Sequence, residues 1–200
     1  MNARIDIGLD ASAIAELMDR RRTVLPKHLV EPGPNIEQLE TILRAAAAAP
    51  DHGQLLPWRF VIVPFEARQR LAQVFADSLL QRDALASADQ IEQARQKAFR
   101  APVLMLAVVN TRGPDSDVPP HERLISAGCA IQNILLTTTA LGFSSALTSG
   151  KALAFDGLSE LFCLSAEEQP VCFINIGTAC RTKAQRLRPE PGQYVSFLGD

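Results

Sequence analysis

Three short segments of this sequence combine residue types that can do chemistry. The first is Arg20-Arg21-Arg22-Thr23. Guanidinium groups are planar, permanently charged and forked, so they match a phosphate in both charge and shape. The same run also suits the C-terminal end of a helix, where cations meet the negative end of the macrodipole. The second is the loop from Pro50 to Arg59, PDHGQLLPWR. Two prolines fix its frame and Gly53 is free to take a positive φ. His52 there reads either as a ligand contact or as a hydrogen-bonded structural histidine, and Trp58 as a core anchor. The third is Ser126 to Asn133, SAGCAIQN. Small residues let a second backbone or a flat ring come close, and Gln132 and Asn133 need partners for their amides. Packing of one helix on another explains this segment equally well.

The familiar catalytic signatures are missing. There is no GxGxxG, no P-loop, no GxSxG and no HExxH, and the histidines His28, His52 and His121 lie far apart. Cys129, Cys163, Cys172 and Cys180 form no CxxC pair, and no metal site is expected. Cys129, Cys163 and Cys172 sit among apolar residues and read as buried thiols. If the chain is an enzyme, a bound cofactor carries the difficult chemistry. A formal net charge of -2 argues against a nucleic-acid partner. The start of the sequence does not read as a signal peptide, and no apolar run is long enough to span a bilayer. The expected location is therefore cytoplasmic.

The elements that must position these segments follow from periodicity. With 200 residues, 47% hydrophobic and 21% charged, the chain can bury a core as one domain. Residues 10–22 read as a helix capped by Asp10 or Ser12, with Ile14, Leu17 and Met18 on one face. Asn35 opens a second helix, with Gln38 placed to complete a capping box. Its alanine tract ends at Pro50. WRFVIV (58–63) reads as a strand, 65–81 and 88–98 as helices, and VLMLAVV (103–109) as a strand buried on both faces. Residues 121–141 form a helix apolar almost all round, which predicts burial on every side, against the core or a second subunit. FSSALTS reads as a strand, 156–162 as a short helix and 171–177 as a last strand. Strands separated by helices give an α/β or α+β architecture, with the strand order left open.

Taken together, RRTVLPKHLVEPGP, APDHGQLLPWRFVIV, FRAPVLMLAV and HERLISAGCAIQNILLTTTALGF resemble the FMN-dependent nitroreductase family, and most closely its small single-domain bacterial subgroup. The resemblance covers most of the chain. It implies an α+β three-layer sandwich, with a central, mainly antiparallel sheet flanked by helices. It also implies one domain over 1–200 and an intertwined homodimer, with the tail from about 181 to 200 extending onto the partner. By the same resemblance, Arg21, Arg22 and Thr23 would bind FMN, while His52 would reach a flavin from the other protomer. Gln54 and the segment Leu147, Thr148, Ser149 and Gly150 would touch the flavin, and the tail arginines Arg186 and Arg188 would meet its phosphate. No catalytic side chain is assigned, because flavin N5 would carry the hydride.

The implied activity is transfer of hydride from NADH or NADPH, through flavin N5, to a small-molecule acceptor such as a nitroaromatic or quinone. A different flavin reaction on the same scaffold, such as dehydrogenation or dehalogenation, is the alternative, as is a flavin-binding protein without turnover. The chain departs from relatives at Ala48, where the subgroup has arginine, at Leu56, where glutamine is commoner, and at Leu147-Thr148, where close relatives have Trp-Arg or Trp-Leu. These changes bear on the substrate pocket.

Overall fold

A computed structural model describes residues 10–113, 117–181 and 187–199. The sheet is built around two long strands whose residues are apolar on both faces. In β3 (Val103–Asn110), Leu104, Leu106 and Val108 point to one side, and Met105, Ala107 and Val109 to the other; all six are buried. β3 pairs antiparallel with β2 (Trp58–Ile62) on one side and with β5 (Glu168–Ala179) on the other. The far edge of β5 carries β4 (Ser144–Thr148) and, further along, the short β1 (Leu29–Val30). Every named pairing is antiparallel, as the resemblance implies.

Helices cover both faces. On one, α2 (Ile36–Ala46) and α5 (Pro120–Ala140) pack over Met105, Ala107, Val109, Ile174 and Ile176. On the other, α3 (Arg68–Arg82) and α6 (Asp156–Leu161) cover Leu104, Leu106, Val108 and Phe173, with α4 (Ala88–Gln96) lying against α3. This makes three layers, with a large apolar core above the sheet and another below it, and a small third cluster of Val24, Leu29 and Ala101. α2 starts where its capping box places it: Asn35 and Gln38 each accept the other's backbone N–H, at 2.8 and 3.0 Å. Gly142, at φ 84°, terminates α5.

Several elements differ from their sequence reading. The first helix, α1, spans Ala11–Arg20 and is capped by Asp10, and Arg21 is already extended. The reason lies downstream: Thr23 bridges Ser145, and the Val24 amide donates to the Ser145 carbonyl at 3.0 Å. That bond draws the chain out of the helix and onto the sheet. β5 begins three residues early because Pro170 sits beside a β-bulge, where a strand tolerates a residue without an N–H. Within one chain α5 is not buried all round, and a second subunit is the remaining way to cover it. Its face with Arg123, Ala127, Ala130 and Ile134 is covered, whereas Leu124 and Ile125 are exposed. α1 has no buried residue, and Ile14 and Met18 are exposed. Of the cysteines, Cys172 is buried and Cys129 half-buried, but Cys163 is exposed. It sits just past the end of α6 at φ 48°, outside the core its apolar neighbours suggest.

Candidate functional site

The Thr23–Ser145 bridge has a consequence for the site: it brings the arginine run beside β4. β4 leaves the sheet at Thr148, and Ser149 and Gly150 follow as exposed backbone. A side chain at Gly150 would meet nothing within 4 Å. Beneath this turn, Asn175 of β5 is buried, and its amide donates to the Ala146 carbonyl at 3.3 Å and to the Thr148 hydroxyl at 3.1 Å. An asparagine inside an apolar strand costs stability unless its amide is bonded. Here it fixes the end of β4.

Thr148, Ser149 and Gly150 form one wall of a cavity of about 580 Å³. Its floor is apolar, from Phe75, Leu104 and Phe173, and Leu25 and Pro26 extend it toward the arginine run. Leu147, its neighbour in β4, is exposed but does not line the cavity.

The guanidiniums divide. Arg21 is half-buried, and the tail returns Arg188 to it: Arg188 Nη2 donates to the carbonyls of Arg21 and Met18 at 3.3 and 3.4 Å. Burial, and then the positive charge of Arg188, disfavour the charged form of Arg21 and push its pKa down. Neither residue is ion-paired among the described residues. Two neighbouring cations without a carboxylate gain most from a bound anion. Arg22 instead lines a shallow depression with Glu16, Asp19 and Arg20. Arg186 lies outside the described residues.

His52 and Gln54 lie elsewhere, in the loop that runs into β2. His52 Nδ1 is 2.6 Å from Glu122 Oε2 in the first turn of α5, so the ring is oriented with Nε2 outward. Gly53, Gln54 and Leu56 all have positive φ, at 75°, 52° and 45°. Strain in two side-chain-bearing residues needs support, and Asp51 gives it by accepting the Leu56 amide at 2.7 Å. His52 and Gln54 do not line the cavity of their own chain. Asn133 of α5 finds its partner in the Ala45 carbonyl, at 3.2 Å.

The sequence reading missed Asn175, Glu122 and the cavity's cations. Asn175 left a signal, a lone amide in VCFINIG; the others look like ordinary surface charge.

This arrangement can hold a flat molecule beside the Thr148–Gly150 turn and an anionic group at Arg21 and Arg188. Residues 18–178 match the model of the Nitroreductase family. A protein of Escherichia coli (strain K12) named "Putative NAD(P)H nitroreductase YdjA" is 33% identical over 185 residues, covering 92% of this chain and 98% of that one. Among solved structures, the nitroreductase-like family protein from Bacillus cereus superposes with a TM-score of 0.81 at 17% identity, over 96% of this chain and 99% of that one. An iodotyrosine deiodinase, solved bound to FMN and 3-iodo-L-tyrosine, gives 0.67 at 21% identity, over 94% and 99%. At such identities the two structures show the shared fold.

Proposed function

The chain belongs to the nitroreductase family, and from that premise we propose that it is an FMN-dependent oxidoreductase, taking reducing equivalents from NADH or NADPH and passing them to a small conjugated acceptor. The observation that carries the reading is the Arg21–Arg188 pair, with Arg21 on the segment that runs through the Thr23–Ser145 bridge into Leu25 and Pro26, which line a cavity walled by Thr148, Ser149 and Gly150. An unpaired double cation fits the FMN phosphate, and an open glycine turn fits a ring lying against backbone. The FMN-bound deiodinase supports the choice of cofactor.

Bound FMN would supply a two-electron carrier that accepts hydride from one partner and gives it to another. The residues of this chain provide position and charge. Arg21 and Arg188, with Arg22 and Thr23 nearby, hold the phosphate end. The Thr148–Gly150 turn, fixed by Asn175, presents backbone to the ring. With a nitroaromatic the balance is NAD(P)H + H⁺ + R–NO₂ → NAD(P)⁺ + R–NO + H₂O, the oxygen leaving as water.

The site is completed by a second copy of the chain. Ile14 and Met18 on α1, Leu124 and Ile125 on α5, and Tyr194 and Leu198 in the tail are all exposed and apolar. Those on α1 and α5 lie on two helices in contact, as an apolar face that a partner covers would. In a homodimer, the outward Nε2 of His52 and the side chain of Gln54 would reach the partner's flavin, and the tail would lie across the interface. Replacing Arg21 and Arg22 together by alanine tests the cofactor grip. We expect FMN affinity, measured by flavin fluorescence, to fall at least tenfold; undiminished affinity sinks this placement. Bleaching of the yellow protein by either nicotinamide under anaerobic conditions, with recovery on adding acceptor, separates an enzyme from a passive flavin carrier.

A further inference from the structure

The cavity beside the Thr148–Gly150 turn extends well past it, under α3 and α4, and its charge is one-sided. Arg82, Lys97, Arg100 and Lys151 line it, and no aspartate or glutamate does. The whole chain carries 22 acidic and 20 basic residues, so four cations against no carboxylate is not the average surface. None of the four forms an ion pair among the described residues. Arg82 is held in place, its Nε donating to the Ser78 carbonyl at 2.8 Å. Arg82, Lys97 and Lys151 are exposed at the mouth, whereas the floor of Leu104 and Phe173 is buried. Apolar walls of low dielectric focus the field of charges at their rim, and so favour anions over neutral molecules of the same shape.

Resting on the flavoenzyme reading above, we propose that the acceptor is an anion: a compact aromatic or conjugated carboxylate, its ring on the apolar floor and its charge against the cationic rim. The rim then acts on binding rather than on electron transfer. Arg82 and Lys151, which come from α3 and from the turn after β4, approach the mouth from opposite elements and set the preference together. Reduction of a nitro group on such an acceptor consumes one NAD(P)H and one proton and releases water, as written above, and the carboxylate is unchanged.

The test uses 4-nitrobenzoate and 4-nitrobenzamide, two acceptors alike in shape that differ in charge. Calorimetric titration of each into the purified protein, with and without added FMN, measures preference without turnover, and kcat/KM for each measures it with turnover. We expect the benzoate to be preferred at least tenfold at low salt, with the preference shrinking in 0.5 M NaCl. In the double variant R82Q/K151Q the preference should approach one, through KM and not kcat. No charge preference in the native protein, or one that the double variant keeps, overturns the proposal. If the variant raises KM for NAD(P)H and leaves the benzoate preference intact, the rim serves the electron donor and the proposal also falls. A protein that takes up no FMN refutes the flavoenzyme reading instead, and the titrations without FMN still report the charge preference.

Discussion

Cys172 and Cys163 are nine residues apart and chemically opposite. Cys172 lies in β5 inside the core, and burial pushes its thiol up to about 11. At pH 8 that leaves about one molecule in a thousand as thiolate, the reactive form. Cys163 and Cys180 are exposed. Iodoacetamide at pH 8, read by mass spectrometry, should therefore modify Cys163 and Cys180 and spare Cys172 until denaturant is added; prompt modification of Cys172 in the folded protein would contradict its burial. The pair also shows where residue-level reading reaches its limit. Both cysteines have apolar sequence neighbours, but Cys163 follows a helix end at positive φ that turns it outward. Site residues behaved in the same way. The RRT and PDHG segments stand out because unusual residue types are adjacent in sequence, whereas LTSG is reached only through the resemblance. Asn175, Lys97 and Arg100 become neighbours of that turn only when β5 and α4 are folded around it, and a pairing across such distances leaves no local pattern.

At the scale of elements, the strongest signals were those whose cause is local. The capping box at Asn35 and Gln38 needs only four residues to form, and it forms. Replacing Asn35 by alanine should cost about 1 kcal/mol, as loss of a helix cap does; urea unfolding of the variant measures it, and an unchanged midpoint would mean the cap adds nothing. α5 and β3 were also plain, because their apolar runs are long and their lengths separate helix from strand. What stayed hidden was set by partners. β1 has only two residues and exists because Ala179 and Thr178 pair with it. The early end of α1 follows from a bond to Ser145, more than a hundred residues away. Pro170 reads as a strand breaker until the bulge beside it is known. Strand order, likewise, depends on which edges meet, and periodicity carries no information on that.

At the scale of the whole molecule, the open faces of α1 and α5 belong to two helices that pack together. If a second copy covers them, a charge placed there should separate the copies. We expect Ile125→Glu to be monomeric by analytical ultracentrifugation, with bound FMN lost along with the dimer; a variant that stays dimeric and yellow would move the interface elsewhere. Within one chain, a different dependence is already visible. β5 is hydrogen-bonded to β1, β3 and β4, yet it runs from residue 168 to 179 and, among the described residues, is made after all three. During synthesis, β1 and β4 therefore wait beside an empty slot, and the edge of β3 that β5 will cover stays bare. The nascent chain carries these adhesive edges until residues 168–179 have left the ribosome, so the interval in which it is most prone to clump with its neighbours closes only when β5 emerges.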